Sequence, residues 1–267
     1  MKKRDFLKNI YIFLVFLFLF LPILVIILFS FNTSSLNIVF EGFTLDWYKE
    51  LFTNDSLLDA LKSTLFVAFI STLVSTIIGT LSAIALNRYN FPLKKLVMKC
   101  LYVPIVIPEI VLGIALLSTY SFFRLNLGLW TIILSHIAFS IPFVVVSVKS
   151  SLDMLDNHLY DAASDLGASN LKTMFYVILP SIKSGISSGA LLALTLSFDD
   201  VVISYFTSGP GSNTLPLYLY SIIKSGVKPD VNALATLMII FILIIISIYI
   251  LINYKRQVKY NQWKKQF

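Results

Sequence analysis

Three carboxylates, Glu109, Asp199 and Asp200, stand where the surrounding sequence is otherwise apolar. One acid interrupts the run Cys100–Phe123, and two interrupt the run from about Ser184 to Ser208. A charge at the centre of a bilayer costs at least roughly 2.5 kcal/mol, so acids retained there mark an ion or substrate pathway or a proton relay. No basic residue within the spans is expected to pair with them. Their partner is then another chain, water or a cationic substrate. The plainer alternative is that they face a hydrated crevice and hydrogen-bond helix ends. At 1.5 Å per helical residue, Glu109 lies roughly 15 Å past Lys99 and Asp199 roughly 22 Å past Ser184. Successive helical residues point about 100° apart, so Asp199 and Asp200 cannot face one direction equally. At least one is expected to orient backbone near Ser197, Phe198 and Val201–Ile203.

Other residues bear on the same chemistry. Pro104 and Pro108 are expected to break the third helix just before Glu109, freeing carbonyls to face a cavity. A broken helix beside an acid is a common way to build a transporter site; a simple kink is the alternative. Trp47 and Tyr48 follow Asp46. They read either as interfacial anchors or, for Trp47, as a π face for an ammonium group. His136 reads as a hydrogen-bonded packing residue rather than a proton relay, His158 as a solvated one. Cys100, the single cysteine, reads as a small buried hydrophobe. The chain has no Walker sequence, no His/Cys metal cluster and no nucleophile elbow, so no catalytic or metal-ligating residue is expected.

These residues are positioned by spans. Apolar residues make up 57% of 267 and charged residues 13%, with mean hydropathy +0.85; a soluble domain carries about a quarter charged. The net charge of +7 does not imply nucleic acid, because the Lys and Arg flank apolar runs and form no basic stripe. Six runs, at about 10–31, 63–87, 100–123, 125–148, 184–208 and 231–254, reach the roughly 20 residues a spanning helix needs. Only helices satisfy their own backbone in lipid without closing a barrel. The expectation is an all-α, polytopic membrane protein with one transmembrane domain over residues 1–267. The first run is too long for a cleaved signal, lacks a small-x-small site and tolerates Pro22 as a kink. The third and fourth form a tight hairpin around Arg124. With the N-terminus inside, the inner segments hold sixteen of the twenty-one Lys and Arg, which places both termini in the cytoplasm. The outer segment 32–62 carries five acids, and 209–230 opens on Gly-Pro-Gly and leads into a short interfacial helix. The basic tail 255–267 is expected against anionic lipid headgroups.

The inner loop at about 149–183 contains DAASDLGASNLKTMFYVILP, Asp161–Pro180. Ala162, Ala163, Gly167 and Ala168 make a helix with a small-residue face that turns at Gly167, and Pro180 stops the segment before the fifth span. Physics alone reads it as an interaction loop able to dock in a groove on another protein. It resembles the EAA loop of ABC-importer permeases, E-A-A, three residues, G, then a hydrophobic stretch ending in L-P. Asp161 stands where the family has Glu; Ala162, Ala163, Gly167, Ala168, Phe175, Leu179 and Pro180 match. The resemblance runs from about Gly42 to Thr236 and is to permeases of polyamine importers, in particular their C-type spermidine/putrescine branch. It is carried by GFTLDWYKELFTNDSLLDAL, SHIAFSIPFVVV, LTLSFDDVVISYFTSGPGSNTLPLYLYS and VKPDVNALATL.

That resemblance implies the type I ABC importer permease fold in a bacterial cytoplasmic (inner) membrane. It also implies that the loop helix couples to a cytoplasmic ATPase dimer, which binds the ATP and Mg, leaving this chain without a cofactor. A second, homologous permease subunit and an extracytoplasmic polyamine-binding protein are the other implied partners. Trp47, Glu109, Ser197, Asp199 and Asp200 occupy the positions implied to handle the polyamine. The alternatives are a permease for another small cation or solute and a proton-coupled secondary transporter. The second has no use for a coupling loop. A membrane scaffold would leave the acids unexplained.

Overall fold

The computed structural model describes residues 3–34, 38–156, 158–223, 229–244 and 247. Among them the chain is helical, and its one β contact is an isolated bridge between Asn32 and Phe43. The helices are α1 (Lys3–Phe29), α2 (Asp46–Leu51), α3 (Asp55–Arg88), α4 (Lys94–Val106), α5 (Glu109–Phe122) and α6 (Leu129–Asp153). They continue as α7 (Leu159–Asp165), α8 (Asn170–Thr173), a π-helical stretch Met174–Ile178, α9 (Leu179–Ser181) and α10 (Lys183–Phe198). Last come α11 (Val202–Thr207), α12 (Leu215–Ile223) and α13 (Pro229–Ile244). The chain forms two compact units, one from 1–58 with 222–267 and one from 59–221.

In the first unit, α1 runs through Pro22 without a break, and none of its apolar window, of mean hydropathy 3.4, is buried. Its surface suits lipid or another subunit. The segment after it is tied down by its own polar groups. The buried Asn32 side chain donates to the Val39 carbonyl at 2.7 Å and accepts the Glu41 N–H at 2.9 Å. Phe31 stacks on Phe43, and Ser30 and Tyr48 share a 2.8 Å hydroxyl contact. Asn54 donates to Asp230 at 3.0 Å, and the other Asp230 oxygen accepts the Val231 N–H at the start of α13. Of the sixth expected span, α13 covers the part to Ile244; 245–246 and 248–254 lie outside the described residues, as does the tail 255–267.

The second unit is built on α6, against which α10 packs. Without a hydrophobic force between helices in lipid, close approach at small residues is what holds them. A Cβ on Gly185 would meet the Ser151 side chain, and one on Gly189 would lie 3.2 Å from the Val144 backbone. Around this seam, Ala83, Ile84, Val144, Val148, Ile178 and Ile182 form the core.

Three of the expected spans are single helices: α1, α3 and α6. Helix α3 starts at Asp55, ahead of the expected 63, and α6 covers Leu129–Asp153 rather than 125–148. The third expected span is instead two helices, α4 and α5, bent by 112°. Pro104 lies inside α4, so it does not contribute to the break. The bend falls at Ile107, which is extended (ψ 137°) because the ring of Pro108 disfavours helix at the preceding residue. The fifth is also interrupted, because α10 ends at Phe198, before α11; just ahead of it, 170–181 and α10 are bent by 69° at Ile182. Cys100, expected to be buried, is exposed. No side chain of α4 is fully buried within this chain; Met98 and Leu101 pack against the core, and the remaining apolar residues are left for lipid or a partner subunit.

Candidate substrate path and coupling loop

The interruption between α10 and α11 separates the two neighbouring acids. Asp199 is exposed and Asp200 is buried. The first turn of a helix leaves backbone N–H groups without partners, and Asp200 takes two of them. Its Oδ1 accepts the Ile203 N–H at 3.1 Å and its Oδ2 the Ser204 N–H at 2.7 Å. The side chain of His136, reaching from α6, is also buried. Its Nε2 is 3.2 Å from Asp200 Oδ2 and 3.0 Å from Ser204 Oγ, and its Nδ1 is 2.7 Å from Ser197 Oγ. Ser197 Oγ lies 2.9 Å from Ser71 Oγ on α3. A carboxylate accepts only, so with the imidazole neutral its hydrogen sits on Nε2 and Nδ1 takes the Ser197 hydroxyl hydrogen. Four helices are thus joined by one buried polar network, and the network ends on Asp200.

No basic residue was expected to pair with the acids; for Asp200 that is corrected, because His136 does. The packing role expected for His136 holds in kind but understates it. The sequence carried a signal, since a histidine in an apolar span needs buried polar neighbours, and the serines and acids of the fifth run were the available ones.

Glu109 is the first residue of α5, placed by the bend at Pro108, and is exposed. Helix α5 packs against α11, with Gly113 under the Phe206 ring. This brings Glu109 within electrostatic reach of both Asp199 and Asp200. The structure therefore gathers Ser197, Asp199, Asp200 and Glu109, two of the acids open and one locked. Trp47 lies in the other unit, half-buried, with its indole N–H donated to the Asn32 carbonyl at 2.5 Å. It lines a cavity of about 220 Å³ with Thr33, Thr44, Asp46 and Glu50. Lys49, at 3.0 Å, and the Thr44 hydroxyl, at 2.8 Å, hold the Asp46 carboxyl below its ordinary range.

On the cytoplasmic loop, α7 carries Asp161, Ala162 and Ala163, of which only Ala163 is buried. Gly167 closes the helix in the left-handed region (φ +79°) that favours glycine. Its N–H donates to the Ser164 carbonyl, and the Ala168 N–H to that of Ala163. Leu166, Leu171, Phe175 and Tyr176 are exposed large hydrophobic residues, while Leu179 packs against the core. Pro180 sits inside α9, and the segment ends just beyond it at Ile182. His158 is exposed, as expected. Arg88, at the end of α3, donates to Asn170 Oδ1 at 2.8 Å and lies 4.7 Å from the Tyr160 ring centroid. In the sequence Arg88 stands out only as one of the sixteen inner-face Lys and Arg.

Residues 75–257 match the family described as "Binding-protein-dependent transport system inner membrane component". The chain belongs to that family. It is 39% identical over 252 residues to the spermidine/putrescine transport system permease protein PotC of Haemophilus influenzae, covering 94% of this chain and 98% of the relative. It is 44% identical over 217 residues to PotC of Escherichia coli, covering 81% and 82%. Among solved structures, a bacterial ABC transporter that imports alginate superposes with TM-score 0.71 at 19% identity, covering 92% of this chain and 94% of that one. At that identity the likeness shows the fold, an all-α ABC importer permease, as expected from the sequence.

Proposed function

We propose that this chain is a permease subunit of an ATP-driven importer that moves polyamines across a bacterial cytoplasmic membrane. The observation that carries the reading is the meeting of Glu109, Asp199 and Asp200 at two adjacent helix breaks, with Glu109 and Asp199 open. A polyamine is an extended polycation, and its amines need carboxylates and π faces spaced along a path. Glu109 and Asp199 contact the ammonium groups; Ser197 and Asp200 hold the break that presents them. Trp47, with Asp46 and Glu50 beside it, takes an ammonium group in the outer segment. The names of the 39% and 44% identical relatives point to the same substrate class.

The partners follow from the family. A second, similar permease completes the path, and an external binding protein delivers the polyamine to the outer segments. A cytoplasmic ATPase dimer binds the ATP and Mg and grips α7 and the turn after it through Asp161, Ala162, Gly167 and Ala168, with Ala163 packed beneath them. The exposed Leu166, Leu171 and Phe175 supply apolar surface for that grip. Both termini lie in the cytoplasm. Uptake of labelled spermidine and putrescine into vesicles containing the assembled importer tests the reading. Glu109→Gln and Asp199→Asn should each lower uptake while the ATPase still co-purifies. Unchanged uptake in both would remove the acids from the path, and competition by other small cations would move the substrate class.

A further inference from the structure

At the end of α3, one side chain touches the coupling loop on both sides of the Gly167 turn. Tyr160 lies on α7, before the Gly167 turn, and Asn170 opens α8, after it. The Arg88 guanidinium touches both, over the Tyr160 ring at 4.7 Å and donating to Asn170 Oδ1 at 2.8 Å. Arginine suits this dual contact because its planar group stacks by its face and donates at its edge; a lysine ammonium does not do both. The Tyr160 hydroxyl is buried and makes no hydrogen bond, so the ring serves Arg88 through its face. Helix α3 then runs without a proline back to Ser71, seventeen residues or roughly 26 Å away. There Ser71 meets Ser197 in the network that ends on Asp200.

We infer that Arg88 is a positioning residue for energy coupling. It clamps both arms of the coupling loop to α3, so that displacement of the loop moves α3 and, through Ser71 and Ser197, the acid-bearing break. An exposed hydrogen bond and a cation–π contact of this kind contribute little to stability, so their loss shows in coupling rather than in folding. The inference rests on the coupling-loop reading above.

The test uses the importer complex purified from the cells that make this chain and reconstituted in proteoliposomes. Radiolabelled spermidine uptake and ATP hydrolysis are measured together, giving spermidine moved per ATP. Arg88→Ala and Tyr160→Leu should each lower that ratio about tenfold, with the ATPase still bound. The double variant should be no worse than either single one, and Tyr160→Phe should match wild type. An unchanged ratio in Arg88→Ala, or a Tyr160→Phe defect equal to that of Tyr160→Leu, overturns the clamp. If the Arg88→Ala complex does not assemble, Tyr160→Leu with the arginine in place decides by the same ratio. Absence of spermidine uptake or of a bound ATPase in the wild-type complex would instead overturn the reading on which the clamp depends.

Discussion

Asp200 and Glu109 are both acids in apolar spans, yet their surroundings ask different things of them. Asp200 accepts two backbone N–H groups and a histidine contact, all buried. Removing one partner of such a set leaves the others unpaired, which costs roughly 1–3 kcal/mol. His136→Ala should therefore lower the thermal midpoint of the purified complex. Glu109 is exposed and makes no such contacts, so Glu109→Gln should leave the midpoint unchanged. It should cut polyamine uptake about tenfold, the equivalent of ~1.4 kcal/mol in one ammonium contact. A reversed pattern would exchange their roles. In the outer segment, Asp46 is held below its ordinary value by Lys49 and Thr44. A depressed carboxyl stabilises the fold above its unfolded value, and the contribution is lost as pH falls through the lowered one. Being exposed, it is screened by salt. An NMR titration of Lys49→Met should find the Asp46 transition moved up toward the ordinary carboxylate range.

At the level of elements, two interrupted spans bring the acids together, and they were not equally legible. Pro108 announces the α4–α5 bend, because a proline restricts its predecessor wherever it stands. The α10–α11 interruption has no proline or glycine between Phe198 and Val202 to announce it. It is held by Asp200 accepting the N–H groups of α11, a local cap, and by His136, a contact absent from any local pattern. The junction of α5 and α11 is close enough to test by bulk. A Cβ on Gly113 would come 2.7 Å from the Phe206 ring, so Gly113→Leu should part the helices and abolish uptake while the ATPase remains bound. The Gly167 turn can be tested by strain alone, since nothing lies within 4 Å of its missing Cβ. A left-handed non-glycine residue costs roughly 1–2 kcal/mol. Gly167→Val should thus weaken ATPase association, read as the fraction of ATPase retained on the purified permease, with the thermal midpoint of the spans preserved.

For the whole molecule, the inner-face excess of Lys and Arg predicts an orientation that labelling can check. In a Cys100→Ser background, Lys8→Cys should react with an impermeant maleimide only in inverted vesicles, and Glu50→Cys only in right-side-out ones. The opposite pattern would reverse the path and place the Gly167 turn on the wrong side for an ATPase.

Sequence by itself determined the all-helical class, the stretches that carry the resemblance and the presence of acids that lipid would not tolerate idle. Each of these depends on neighbours a few residues apart: twenty apolar residues in a row, a proline and its predecessor, a glycine closing a helix. Only the tertiary structure decided which acid is locked and which is open, because that depends on His136 reaching Asp200 from 64 positions away. The same holds for Arg88, which meets Asn170 across 82 positions. A buried polar group must find a partner, but the chain's spacing does not say which one. Packing of α10 against α6 and of α5 against α11 made the choice.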